Sequence, residues 1–390
     1  MTSDKELIRK VHSLDWDCLE ADTRYLTHGI HRYSGKFIPQ IARQVIEIAS
    51  KPDDLVLDPY CGSGTTLLEC SLLGRHSVGC DLNPLATLIS RAKTFPIERE
   101  RLALYVQDLE SSLRTSIHDQ RTLDTYDYSR RLTTNSSFKA ETDPRWGDKW
   151  YVKWFGDRIR QELLVIHNEI TDSKDAACRR IALLAFSDIL RRSSKANSSY
   201  PNVMFDKNKV EPKSALALFL KRLNEISCAV TELDKTLHHR PIPEVVSANA
   251  ENIPFPDGSF DAIVTHPPYV GSIPYAEYGS LSLKWLGYEP SEIDRKLTGG
   301  KRQSRDVLDR YLLGFRNMLE ESHRVLKDGG ICFMLMGNPV VKGTRVDLAR
   351  ITTELANSVG FTSILVHQRT GANRRANLMS KEALLFFRRQ

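Results

Sequence analysis

Residues 55–66, Leu-Val-Leu-Asp-Pro-Tyr-Cys-Gly-Ser-Gly-Thr-Thr, limit what this chain folds into more than any other stretch. An apolar run of strand length stops at Asp58, two glycines enclose Ser63, and Leu67, Leu68, Leu72 and Leu73 follow at helical spacing. That pattern reads as strand, glycine turn and helix. Glycine takes backbone conformations barred to other residues and lets main chain approach a ligand closely, so a large cofactor is able to lie against such a turn. The next apolar run, residues 77–80, ends in Asp81, about twenty residues after the first acid, where a carboxylate accepts both hydroxyls of a ribose. A glycine turn alone is an ordinary tight turn. An acid at the second strand end favours a nucleoside cofactor over that reading.

Phosphate-binding loops carry a Lys-Ser/Thr pair after the last glycine or a three-glycine dinucleotide spacing, and residues 61–66 carry neither. A nucleoside cofactor without phosphates fits instead, and S-adenosylmethionine is the common one. Further on, residues 253–261 form a turn into the apolar strand Ala262, Ile263, Val264, which runs into Thr265, His266, Pro267, Pro268 and Tyr269. Two consecutive prolines hold the backbone extended and remove two amide donors, leaving carbonyls free to point into a site. A planar base is expected to stack on Tyr269 while its amino group donates to the Pro267 carbonyl and the His266 ring. Pro-Pro-Tyr alone would be a stiffened loop with a packing tyrosine. Its place at the end of an apolar strand, downstream of the glycine turn, favours a site.

The order of these segments resembles the S-adenosylmethionine-dependent amino methyltransferases of DNA, which methylate N4 of cytosine or N6 of adenine. The resemblance rests on residues 58–66 for the donor loop, 81–84 for the ribose acid and 266–269 for the catalytic loop. Residues 31–39 are similar to the segment that packs on the methionine end of the cofactor, 325–335 to the fifth strand with its glycine turn, and 382–387 to the last strand. Together these span roughly residues 28–95 and 244–390. The fold implied is α/β, a doubly wound Rossmann-like methyltransferase sheet with a mostly helical insertion. Residues 1–96 would be the cofactor half, 97–243 the insertion and target-recognition region, and 244–390 the catalytic half. Cofactor contacts are implied for Lys36, Phe37 and Pro39, and for Asp58, Tyr60, Cys61, Gly62, Ser63, Gly64, Thr65 and Thr66. They are implied as well for Asp81, Leu82, Asn83, Asn249 and Ala250, with catalysis falling to Thr265, His266, Pro267, Pro268 and Tyr269.

Three features depart from the family pattern. His266 stands where Asp, Asn or Ser is usual, Asn249 stands where an Asp often takes the amino group of the adenine, and the long insertion precedes Asn249. Asn keeps an acceptor oxygen. In the family, Ser or Thr in the first motif position goes with cytosine and Asp with adenine, and His266 matches neither habit. The wording of residues 58–66 and of Thr-x-Pro-Pro-Tyr is nearer to the cytosine enzymes, so N4 of cytosine is expected ahead of N6 of adenine.

An aromatic amine is a poor nucleophile because its lone pair is delocalised into the ring. Accepting both amine protons, at neutral His266 and at the Pro267 carbonyl, favours a pyramidal nitrogen and direct transfer. None of the seven cysteines then needs a nucleophilic role, and Cys61 reads as a small packing residue. The plainer reading of His266 gives it loop shaping only, with the carbonyl as acceptor.

A base paired in a duplex must be rotated out of the stack to reach such a site, at a cost of a few kcal/mol that basic contacts offset. The net charge of +6 is mildly in favour. Arg295, Lys296, Lys301, Arg302 and Arg305 cluster around Gly299 and Gly300, and Arg369, Arg374 and Arg375 around Gly371. These are candidate loops for phosphates or, more plainly, solvated surface.

In the insertion, residues 119–157 are polar and irregular, yet Trp146, Trp150, Trp154 and Phe155 argue for folded structure. Ile159, Leu163, Ile166 and Ile170 line one helix face, and Ile181, Leu184, Ala185 and Ile189 another. Leu216, Phe219, Leu223, Ile226, Val230, Leu233 and Leu237 form the seam of a long amphipathic helix, packed in a helical subdomain or between two copies. Arg191, Arg192 and Lys195, with small polar residues up to Tyr200, mark phosphate and base-edge contacts, or a plain connecting loop.

A chain of 390 residues, 41% hydrophobic, suits one large α/β domain with an insertion. Its longest apolar stretch falls short of the ~20 residues that cross a bilayer, and residues 1–6 lack a signal-peptide core, so a cytoplasmic location is expected. Cysteines without a Cys-x-x-Cys pair speak against structural zinc or a disulfide framework, and no metal is expected. Expected partners are double-stranded DNA and a cognate restriction endonuclease, with the chain a monomer or homodimer. Competing functions are methylation of RNA or of a protein glutamine amide, and a non-catalytic DNA-binding subunit, which His266 and Asn249 favour. An RNA enzyme usually brings a further RNA-binding domain, for which the 27 residues before His28 are too few.

Overall fold

Seven runs of the chain join in one sheet: β1 (Leu55–Asp58), β2 (His76–Cys80), β3 (Glu244–Val246), β4 (Phe260–Thr265), β5 (Leu326–Gly337), β6 (Phe361–Arg369) and β7 (Glu382–Arg389). The structure, a computed structural model, describes residues 3–125, 140–200, 202–271, 273–298, 300, 306–341, 343–370 and 382–390. The strands lie in the order β3-β2-β1-β4-β5-β7-β6, the first five parallel and β7 antiparallel to both of its neighbours. β5 and β7 occupy the segments expected as fifth and last strands. Helices α1 (Asp4–Ser13) and α2 (Pro39–Ala49) precede the sheet, and α3 (Thr65–Leu72) and α4 (Pro84–Thr94) follow β1 and β2. Before β3 come α5 (Arg99–Thr125), α6 (Lys149–Trp154), α7 (Asp157–Asp172), α8 (Ala176–Ser193) and α9 (Ala215–Thr236). Between β4 and β5 lie α10 (Tyr275–Tyr278), α11 (Ser280–Trp285), α12 (Pro290–Lys296) and α13 (Val307–Val325), and α14 (Leu348–Ser358) precedes β6.

Side chains alternate across a strand, so a sheet covered on both faces needs runs that are apolar throughout. Val56, Ala262, Val264, Phe333 and Phe386 enter the layer under α1 and α2. Leu57, Ile263, Met334 and Leu385, one residue out of step, enter the layer under α13 and α14. The chain lays β1, β2 and β3 to one side and resumes at β4 on the other side of β1. Strand order therefore reverses at the seam between β1 and β4, and an open α/β sheet leaves its crevice outside the carboxyl ends at such a seam.

Helices α5, α7, α8 and α9 bury one core, and that core also takes Leu85 and Ile89 of α4 and Leu281, Leu283 and Trp285 of α11. Trp285 packs edge-on against Tyr151 at 5.2 Å, Phe155 at 5.7 Å and Phe186 at 5.2 Å. The apolar faces expected on α7 and α8 are buried here. Helix α5 continues to Thr125, past the point where irregular chain was expected. The α9 seam is filled within the chain: Phe219, Leu223, Ile226 and Val230 join the helical core, while Leu233 and Leu237 meet Leu68 of α3. It is not open to a second copy. Among the described residues no helix is long and apolar enough to cross a membrane.

Candidate active site

β1 and β4 end side by side, with Val56 beside Ala262 and Leu57 beside Ile263. Just beyond, the Thr265 hydroxyl donates to Asp58 Oδ1 at 2.7 Å, and the Tyr60 amide donates to the same oxygen at 3.1 Å. One buried carboxylate thus fastens the turn after β1 to the turn after β4. Burial pushes Asp58 up to about 6, against the hydrogen bonds from Thr66 and Thr265 that favour its charge. Thr265 is fully buried. It ties two strands together, which corrects its expected place among groups that touch substrate.

A cleft opens over this clasp. Pro59, Tyr60 and Gly62 form one wall, Asp81, Leu82 and Asn83 the next, Ala248, Asn249 and Ala250 a third, and His266 and Pro268 the fourth. Tyr33, Gly35, Tyr275, Leu297 and Thr298 close it. Gly62 has φ +49°, and a Cβ there would meet the Tyr33 ring at 3.3 Å; Gly64, at φ +75°, would drive a Cβ to 2.4 Å from Ser90 Oγ. The turn therefore needs glycine at both positions, for its shape and for close packing. Asp81 accepts the Gly62 amide on Oδ2 at 3.0 Å and the Asn83 amide on Oδ1 at 2.8 Å. Each oxygen keeps a further acceptor position. Burial, with a smaller push from the Asp58 charge, raises Asp81 to about 6. Asn249 Oδ1 accepts the Glu251 amide at 3.1 Å, so part of its acceptor capacity shapes the turn after β3.

Among the described residues no Lys or Arg side chain lines this cleft, and a half-buried acid does. A phosphate-bearing cofactor would meet no counter-charge there. A neutral ribose beside a cationic sulfur suits the wall, and the two tyrosine rings, with centroids 5.9 Å apart, add faces that attract cations. Residues behind the wall have other work. Lys36 Nζ donates to the His28 carbonyl at 2.8 Å, Phe37 packs on the His266 ring at 5.5 Å, and Pro39 opens α2. Cys61, Ser63, Thr65 and Thr66 are buried inward, and the Ser63 hydroxyl accepts from the interior Lys93 at 3.2 Å. These residues buttress the cleft that the resemblance had them contact.

The turn after β4 departs from expectation in one respect. Tyr269 is buried and offers no face to the cleft; its hydroxyl lies 2.7 Å from His266 Nε2 and donates to Glu382 Oε1 at 3.3 Å. Glu382 in turn is 3.0 Å from Arg369. Flat faces come from Tyr33 and Tyr275 instead. The tautomer with its proton on His266 Nε2 donates to the Tyr269 oxygen and leaves the single phenol proton for Glu382. Nδ1 is then the acceptor nitrogen. It is covered and has no hydrogen-bond partner among the described residues. Burial lowers the His266 pKa, with Glu382 opposing and Arg369 assisting, so the ring is neutral at neutral pH. The Tyr311 hydroxyl donates to the Pro268 carbonyl at 3.0 Å, fixing the second proline.

The basic residues divide. Arg295 and Lys296 are exposed at the end of α12, next to Leu297 and Thr298 on the cleft wall. Arg191 and Arg192 line a neighbouring cleft, while Lys195 turns to the Lys209 carbonyl at 3.2 Å and lies 4.0 Å from Glu211. Lys301, Arg302, Arg305, Arg374 and Arg375 lie outside the described residues. Arg369, expected in a surface loop, is a buried strand residue held by Glu382. Among the described residues no group of acids, histidines and cysteines is placed to hold a metal ion. Sequence reasoning did not single out Tyr33, Tyr275, Thr298 or Glu382; Tyr33 lay within the segment 31–39 expected against the cofactor, and the Pro274-Tyr275 pair was the local hint for Tyr275.

A sheet with this order and reversed strand, a glycine turn over its first strand, an acid after its second and a Pro-Pro turn after its fourth defines a methyltransferase with a nucleoside cofactor. Residues 10–90 match the DNA methylase family. Over 388 residues the chain is 26% identical to the Type II methyltransferase M.MvaI of Kocuria varians, a match covering 86% of this chain and 82% of that protein. Over 404 residues it is 22% identical to the Type II methyltransferase M.MjaII of Methanocaldococcus jannaschii, covering 83% and 75%. Among solved structures it is similar to a SAM-dependent methyltransferase of Methanosarcina mazei, 10% identical with a TM-score of 0.35, covering 88% of this chain and 96% of that one. The family match and these relatives support an S-adenosylmethionine-dependent amino DNA methyltransferase, with S-adenosylmethionine as cofactor.

Proposed function

We propose that the protein is a site-specific DNA methyltransferase that acts on the exocyclic amine of a base turned out of the duplex, N4 of cytosine ahead of N6 of adenine. The observation that carries this reading is the single cleft shared by the Gly62 turn, the Asp81 carboxylate and the His266-Pro268 turn. S-adenosylmethionine supplies an electrophilic methyl group on a positively charged sulfur, so transfer is direct. Asp81 holds the ribose hydroxyls, Ala248 to Ala250 border the adenine, and Tyr33 and Tyr275 present flat faces. His266 Nδ1 accepts one amine hydrogen and the Pro267 carbonyl the other, which localises the lone pair on the nitrogen. The Nδ1 atom without a partner favours this role over mere loop shaping, since a covered polar atom left unmatched costs about 1–3 kcal/mol.

Residues 97–243 serve target recognition, and the exposed Arg295 and Lys296 grip phosphates at the rim. The preference for cytosine rests on the motif wording. A cognate restriction endonuclease is the natural functional partner, given the Type II names of the two relatives. Incubation with labelled cofactor and mixed-sequence duplex DNA, followed by nucleoside analysis, tests the reading. N4-methylcytosine is expected. N6-methyladenine would correct the base, and label only in RNA or protein would overturn the reading. A lapsed, non-catalytic subunit would fail to bind S-adenosylmethionine in a titration.

A further inference from the structure

Behind the Tyr33 and Tyr275 rings lies a second cleft, which shares those two rings with the first. Three separate parts of the chain build it: the segment before α2 with His31 and Arg32, the end of α8 with Asp188, Arg191 and Arg192, and helices α10 and α11. Its charge is one-sided. Arg32 and Arg192 are exposed and have no ion-pair partner among the described residues. Arg191 is half-buried, and its guanidinium donates to the carbonyls of Asn197 and Asn202. Both Arg32 and Arg191 line the cleft, and burial first, then the charge of Arg32, lowers the Arg191 pKa. The one carboxylate on the wall, Asp188, is engaged by Arg222 at 2.7 Å and stands 4.0 Å from His31 Nε2. His31 Nδ1 is 2.8 Å from the Arg32 carbonyl and Nε2 is 3.1 Å from Ser187 Oγ, which pins the Arg32 backbone to α8.

We propose that this cleft seats a phosphodiester of the strand whose base enters the first cleft, with Arg32 and Arg192 pairing with its oxygens and Arg191 forming a braced floor. The proposal rests on the reading of the protein as a DNA methyltransferase. Guanidinium groups match phosphate oxygens in fork geometry, and bringing like charges together on one wall is offset when an anion arrives. A base that passes the tyrosine pair leaves its backbone on the far side of those rings, where these arginines stand. Recognition here would be of the strand and not of its sequence, since phosphate contacts position and carry no base information.

The test is the salt dependence of duplex binding by the full chain, with Arg32→Gln, Arg192→Gln and the double variant, beside titration of each with S-adenosylmethionine. Each lost phosphate contact is expected to flatten the plot of log affinity against log salt by about 0.9, so the double variant should lose between one and two units of slope. Arg32→Lys and Arg192→Lys should restore most of it, and the cofactor Kd should stay where it is. An unchanged slope overturns the proposal. A weakened cofactor Kd with unchanged slope also overturns it, because the arginines would then serve the cofactor's carboxylate. Binding is read without turnover, so an unsubstituted protein that binds duplex yet methylates no DNA would sink the functional reading and leave this one standing.

Discussion

The two clefts that meet at Tyr33 and Tyr275 are built from neighbouring chain and carry opposite electrostatics. The first has a half-buried acid and no cationic side chain among the described residues; the second has three arginines and one carboxylate already engaged. One pair of rings thus separates a wall fit for a cationic nucleoside from a wall fit for a polyanion. A reaction that moves a methyl group from a positively charged donor to a nucleic-acid base needs both, close together and not mixed.

The largest expected effect separates arginines that hold the fold from arginines that hold a ligand. Glu382→Gln leaves the buried Arg369 charge unmatched and should cost about 3 kcal/mol of stability by denaturant unfolding, whereas the Arg32 and Arg192 variants should stay within about 0.5 kcal/mol of the parent. Equal midpoints for all three would erase the distinction. Next, Asp81→Ala removes a charged acceptor from the first cleft and should weaken S-adenosylmethionine by about 10–100-fold in a calorimetric titration, with duplex binding in its absence unaffected. A cofactor Kd within twofold of the parent would take Asp81 out of the site.

The third effect lies in pH. The proposed acceptor role needs a neutral His266 and burial lowers its pKa below the ordinary 6.5, so single-turnover methylation should hold at pH 6.5 and fall only at lower pH, as the ring gains a proton. His266→Asn keeps an acceptor that does not titrate in this range and should remain active without that acid limb; the same limb in the variant would return His266 to loop shaping. The smallest effect belongs to the rim. Arg295→Gln or Lys296→Gln should each flatten the salt plot by about 0.9 and leave the cofactor Kd alone. No change in slope would mark them as solvated surface.

What the sequence disclosed about this site follows the reach of local chemistry. The glycine turn, Asp81 and the Pro-Pro turn were legible because glycine, proline and strand-length apolar runs restrict the backbone within a few residues, and the sheet edge then assembled them. Tyr269 was misjudged because its partner, Glu382, is 113 residues away and no local pattern announces it. Tyr33, though inside the segment expected against the cofactor, and Tyr275 were not singled out for the same reason: the wall exists only after two distant segments meet. Arg369 shows the limit for charge runs, since a basic cluster in sequence does not say which member points inward. Cys61, Ser63, Thr65 and Thr66 show it for motifs, where conformation and contact are easily confused.

The shared core around Trp285 has a consequence for how such a protein changes over time. β2 and β3 are sheet neighbours although the whole helical segment separates them in the chain, and long excursions add little closure entropy, so length alone leaves that segment free to be exchanged. Its packing does not. Helix α11, which follows the Pro-Pro turn, is lodged among the rings of the segment, so a graft from another enzyme that left Trp285 without a fitted berth would disturb the turn along with the segment. Diversification in this lineage should therefore proceed by small repairs at that junction, not by wholesale exchange.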